Sequence, residues 1–98
     1  MHDFMIAMRL PATLTERFLS LIPQQRKQID RLLGEGRPTS FSLASDRSQC
    51  WATMLAESEG EVHAILESFP LREFMHVQVR KLAFSENAPR VFAHISLN

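Results

Sequence analysis

The side chains able to do chemistry in these 98 residues are few and scattered. His76 lies in the alternating run Met75-His76-Val77-Gln78-Val79-Arg80, on the polar face of what reads as a strand. A free imidazole titrates near neutral pH, so His76 is the leading candidate for moving a proton; on a polar strand face it reads more readily as a surface or interface histidine, and His94, on a strand that could cross the dimer, has the same ambiguity. Arg9 and Arg26 present planar paired donors that suit the carboxylate of a small organic acid. Arg26 can alternatively pair with Asp30 one helical turn on. Ser40 and Ser42 can donate to a ligand oxygen or simply decorate an edge strand. Trp51 reads either as the lining of a pocket between sheet and helices or as a core tryptophan. His63 has Glu59 and Glu67 one turn away on either side, the pattern of a solvated helix surface. The four histidines, at positions 2, 63, 76 and 94, never fall one strand step or one turn apart, and there is one cysteine. No metal site and no cofactor are expected from such spacing, although ligands converging across a dimer would escape this reading.

Composition narrows the setting. The length fits one domain over residues 1–98, and 45% apolar residues are enough for a core and too many for disorder. Lys+Arg and Asp+Glu both total 11, so no net field gathers nucleic acid or an anionic membrane. The seven Phe are spread through apolar runs without interleaved basic residues, which favours core filling over base stacking. Cys50 sits in the apolar run Cys50-Trp51-Ala52 and reads as a buried structural thiol. The amino terminus lacks the basic start of a signal peptide and no segment has the length of a membrane span, so the expected setting is the cytoplasm.

Periodicity then supplies the elements. Phe4 to Leu10 reads as a strand apolar on both faces, hence central, closed by Pro11. Thr13 to Gly36 reads as helix, started by a Thr13/Glu16 capping box and divided at Pro23, with Ile22, Ile29, Leu32 and Leu33 on the apolar side. Gly34 and Gly36 mark its exit, where a left-handed residue is expected. Thr39 to Ser45 is a half-buried edge strand, Ser45 to Ser48 a turn, and Gln49 to Glu57 a returning strand apolar on both faces. Ser58-Glu59-Gly60-Glu61 is a second capping box, opening a helix that carries Val62, Ile65, Leu66 and Phe69 and stops at Pro70. Met75 to Leu82 is the last sheet strand, and Val91 to Leu97 alternates as a short extra one. This order, βαββαβ, is the α+β ferredoxin-like split unit with an antiparallel sheet, its first and third strands central. Both helices cover one sheet face. The other needs a partner, so the chain is expected to be a homodimer through that face.

Several of these runs together resemble the muconolactone isomerase-like family. They are Arg9-Leu10-Pro11 at the close of the first strand, Leu32-Leu33-Gly34-Glu35-Gly36 at the exit of the first helix, and Ser68-Phe69-Pro70-Leu71 followed by Phe74-Met75 and the alternating valines. The resemblance spans most of residues 4–84. It implies a dimeric α+β barrel, further assembly beyond the dimer, and a carboxy-terminal segment, 85–98, exchanged with the partner subunit.

The resemblance also implies a chemistry. The family's enzymes shift a double bond in an unsaturated lactone by moving a proton, using a carboxylate in the first long helix. The corresponding stretch here is Gln24-Gln25-Arg26-Lys27, and an amide cannot take the proton. The Trp-Arg-His run after the helix exit is replaced by Pro38-Thr39-Ser40. Two readings follow. One is an isomerase-like protein that binds a small organic acid or lactone of aromatic-compound breakdown through Arg9, Gln25, Arg26, Ser40 and Trp51, with His76 as candidate catalyst. The other is a non-catalytic binding or accessory barrel.

Overall fold

The computed structural model describes residues 1–86. The expected strand over 91–97, the exchanged 85–98 segment and His94 therefore lie essentially outside the described residues. The elements run β1 (His2–Arg9), α1 (Glu16–Gly34), β2 (Pro38–Leu43), β3 (Gln49–Ala56), α2 (Glu59–Leu66), a single 3-10 turn (Arg72–Phe74) and β4 (His76–Lys81). All pairings are antiparallel and the sheet order is β2-β3-β1-β4. The two strands that are apolar on both faces, β1 and β3, are the central ones, as their composition predicts.

Alternation sorts the strand residues between two faces. Phe4, Ile6 and Met8 of β1, with Cys50, Ala52, Met54 and Ala56 of β3, are buried on the helix side. There they meet Phe18, Ile29 and Leu32 of α1 and Val62, Ile65 and Leu66 of α2. Val77 and Val79 of β4 lie opposite Met8 and Ile6 and complete this layer. Burial of these side chains is the main force holding the helices on the sheet.

The helix α1 departs from its sequence reading in three ways. It is continuous through Pro23 rather than divided there. Pro23 and Leu19, whose carbonyl loses its usual partner, are both exposed, so water can satisfy that group. Its cap is Thr15, whose Oγ1 accepts from the Phe18 N–H at 3.2 Å, rather than Thr13. Its inward stripe is Phe18, Leu21, Gln25, Ile29 and Leu32, leaving Ile22 and Leu33 exposed. The expected Arg26–Asp30 pair is not among the ion pairs of the described residues; Arg31 instead pairs with Glu35 at 2.9 Å. In α2 the Ser58 hydroxyl accepts from the Glu61 N–H at 3.2 Å, and Glu61 reaches back to the Glu57 N–H, one residue before the expected box position.

The exit of α1 is closed by a Schellman arrangement. Gly36 N–H donates to the Leu33 carbonyl and Arg37 N–H to that of Leu32, both at 3.0 Å. Gly36 takes φ +72°, where a side chain is strained even though nothing within 4 Å would touch an added Cβ. Gly36→Ala should therefore cost about 1 kcal/mol through the backbone alone. Urea unfolding should show a lower midpoint with an unchanged slope; an unchanged midpoint would contradict the left-handed conformation.

Candidate functional site

Pro70 and Leu71 turn the chain from α2 into β4, and α1 holds that corner along its length. At the helix start Arg17 pairs with Glu73 at 2.7 Å, and Phe18 packs edge-on against Phe74 with ring centroids 5.3 Å apart. Further along, the Gln25 Oε1 accepts from the Leu71 N–H at 3.0 Å. A turn later Gln28 Nε2 donates to the Ser68 hydroxyl at 2.8 Å. Helix residues 17, 25 and 28 thus meet corner residues 73, 71 and 68 in antiparallel order.

Gln25 is the unusual member. It occupies a stripe position that periodicity gives to an apolar side chain, and it is only 8% exposed. Its carbonyl oxygen is satisfied, yet its Nε2 is buried with no hydrogen-bond partner. A buried amide N–H without a partner costs roughly 1–3 kcal/mol. The group is a buried neutral donor, able to bind a carbonyl or carboxylate oxygen and unable to accept a proton.

A second set of polar groups lies across the sheet, on the face without helices. Register places Arg9 between Gln49 of β3 and His76 of β4, Ala7 between Trp51 and Gln78, and Met5 between Thr53 and Arg80. Ala7, Arg9, Gln49, His76, Val77 and Gln78 line an open depression of about 360 Å³. Ser40 continues this face on β2. Its hydroxyl lies 2.6 Å from that of Thr53, which Thr39 also reaches at 2.7 Å because a bulge sets Thr39 out of register. Trp51, Met5 and Leu55 stand on the same face and are 39%, 37% and 41% exposed. Trp51 therefore neither lines a pocket under the helices nor belongs to the core; both sequence readings put it on the wrong side of the sheet.

The candidate residues consequently do not form one site. Arg9, Ser40, Trp51 and His76 share the open sheet face, with Arg9 and His76 directly opposite one another. Gln25 is in the helix-side interior, and Arg26 is exposed on the outer surface of α1. His63 meets Glu59 at 3.4 Å on the exposed surface of α2, as its spacing predicts. Cys50 is buried, and that burial pushes its thiol up from the ordinary value, so it is no nucleophile. A second depression lies at the corner itself, lined by Glu67, Phe69, Pro70, Arg72 and Glu73. There Arg72 Nε is 3.4 Å from the Glu67 carboxylate, close enough to pair but too poorly aligned to count as a hydrogen bond. Among the described residues no three His, Cys, Asp or Glu side chains converge as metal ligands, and no helix is long and apolar enough to cross a membrane.

The family model for muconolactone delta-isomerase matches residues 3–87, a span that includes α1, the Pro70-Leu71 corner and all four strands. The chain belongs to this family. Among solved structures, muconolactone isomerase is similar at TM-score 0.70 with 19% identity, over 88% of this chain and 93% of that one. Another is 5-chloro-2-hydroxyhydroquinone dehydrochlorinase (TftG) from Burkholderia phenoliruptrix AC1100, in complex with 2,5-dihydroxybenzoquinone. It is similar at TM-score 0.69 with 15% identity, over 85% of this chain and 95% of that one. A search of curated proteins returns no match. At these identities the structural likeness speaks for the fold, which is that of the dimeric α+β barrels.

Within a muconolactone isomerase family chain, two features of the site escaped sequence reading. The burial of Gln25 was hidden because a glutamine on a helix reads as solvated; its place midway between Phe18 and Ile29 was the available signal. The juxtaposition of Arg9 and His76 needed the strand pairing of β1 with β4, which the βαββαβ order contains but the local patterns do not.

Proposed function

We propose that this protein is a cytoplasmic homodimer, closed through its open sheet faces, that binds a small organic acid or lactone of aromatic-compound breakdown without acting as a muconolactone isomerase. The observation that carries this reading is the unpaired Nε2 of Gln25. In an isomerase of this family a carboxylate in the first helix serves as proton acceptor, and we take Gln25 as the residue standing in its place. The amide keeps the hydrogen-bonding half of that role: it can donate to a ligand oxygen, and it cannot remove a proton from carbon. The names of the similar structures, a lactone isomerase and a dehydrochlorinase holding a dihydroxybenzoquinone, support oxygen-rich ring-derived ligands of similar size.

The alternative is an accessory barrel in which Gln25 only fastens Leu71. It is favoured by the fact that Gln25 lines neither surface depression. Thermal-shift and calorimetric titration against lactones, hydroxyquinones and small aromatic acids separates the two. A binding reading requires at least one ligand whose affinity falls about tenfold or more in Gln25→Ala, the worth of one hydrogen bond in a dry site. Ligands bound equally by the parent and the variant, or no ligand at all, would leave the accessory role.

A further inference from the structure

We propose that Arg9, His76 and Gln49 form a second ligand site, on the open sheet face, that takes the carboxylate of a small organic acid and links its binding to dimerisation. The inference uses the dimer of the preceding section but not Gln25, which lies on the other side of the sheet.

The argument begins with charge. Within the four strands the open face carries Arg9, Arg80 and His76, and its single carboxylate is Asp3, opposite Leu55 at the far end of β1. Neither Arg9 nor Arg80 has an ion-pair partner among the described residues, and no carboxylate of β3 or β4 lies beside His76. The face is otherwise suited to burial, with Met5, Trp51 and Leu55 exposed on it. Closing two such faces together would take the guanidinium of Arg9, which has no ion-pair partner among the described residues, out of water in each copy. An unpaired buried charge is among the most unfavourable groups an interface can contain.

Geometry supplies the remedy. Arg9 and His76 are register partners on adjacent antiparallel strands, and Gln49 is the partner of Arg9 on its other side. Side chains so placed start about 5 Å apart, close enough for one carboxylate to lie between them. The guanidinium can hold it through two parallel N–H bonds, with an imidazole or amide N–H added from the flanks. The depression lined by these residues is open on the unpartnered face and would be roofed by a second copy. The anion supplies the negative charge that neither β3 nor β4 places beside Arg9.

Benzoate, with inorganic phosphate and chloride at matched ionic strength, is the probe set. The His76 imidazole resonance, assigned through His76→Gln, should move saturably with benzoate in the parent protein and not in Arg9→Gln. At a tenfold excess over its dissociation constant, benzoate should lower the dimer dissociation constant about a hundredfold in sedimentation, two sites contributing about tenfold each. An unmoved imidazole, a response to phosphate alone, or binding that leaves the dimer constant unchanged would each overturn the proposal. The His76 resonance and the dimer constant read the Arg9 site in the parent and in Arg9→Gln, whereas the Gln25 site is read by loss of ligand affinity in Gln25→Ala, so a failed Gln25 site and a failed Arg9 site give different results.

Discussion

Trp51→Lys is expected to break the homodimer proposed above and, with it, much of the protein's stability. Trp51 is flanked across the strands by Ala7 and Ser42, two small residues, so the indole stands above its surroundings on the open face. It takes no part in the helix-side core, which is built from Cys50, Ala52, Met54 and Ala56 on the same strand. An exposed tryptophan among Met5 and Leu55 is the kind of anchor that dominates an interface, worth about 2 kcal/mol or more on truncation. Lysine does more than truncate, because it adds a positive charge to a face that already carries Arg9 and Arg80. The dimer dissociation constant should rise at least a hundredfold by light scattering across a dilution series. Since Trp51 is the only tryptophan, the parent protein also reports on itself: its emission should shift to the red as dilution separates the subunits. A parent protein that is a folded monomer at micromolar concentration, or a variant that dimerises as well as the parent, would remove the open face as the interface.

The parts of this molecule that were legible beforehand are those set by composition within one element. Strands β1 and β3 announce their central position because Phe4, Ile6 and Met8 alternate with Met5 and Ala7, and Cys50, Ala52 and Met54 with Trp51 and Leu55. The same property hid the side to which Trp51 points, since alternation cannot rank two apolar faces. In α1 the spacing puts Ile22 and Leu33 on the inward stripe with Ile29 and Leu32, whereas the folded helix turns Leu21 and Gln25 inward and leaves Leu19, Ile22 and Leu33 exposed. Tertiary packing decides the phase: the inward face is the one that meets the sheet and, through Gln25, the corner at Leu71. Pro23 was read as a break because a missing N–H is costly in a buried helix, and here it faces water. The Arg9–His76 pair joins residues from opposite ends of the chain, and nothing local to either strand contains it.

Gln25→Glu should show whether the buried amide position can still support the family's chemistry. The Gln25 Oε1 accepts from Leu71 N–H, and either oxygen of the new carboxyl group can do the same. The other oxygen replaces the unpaired Nε2, in surroundings of low polarity. One backbone N–H favours the ionised form, but the nearly complete burial of the site opposes it more strongly, so the carboxyl's pKa should lie above the ordinary value of about 4.3. A raised carboxyl pKa has a definite sign in stability. Below the ordinary value both folded and unfolded chains hold the proton and the variant pays no ionisation penalty. As pH rises past it, the unfolded chain releases its proton first, and the variant loses stability until the folded pKa is passed. Unfolding free energies from urea titration, relative to the parent, should therefore fall between about pH 4 and neutrality, by about 1.4 kcal/mol for each unit of elevation. A difference that does not vary with pH would mean that the side chain has turned out to solvent. A base held in a dry site beside a lactone should also abstract its acidic proton, and isomerisation of muconolactone should rise roughly a hundredfold over the parent. If the pH-dependent instability appears without that rise, the position is buried as described but the lactone does not reach it, and Gln25 is a fastening for Leu71.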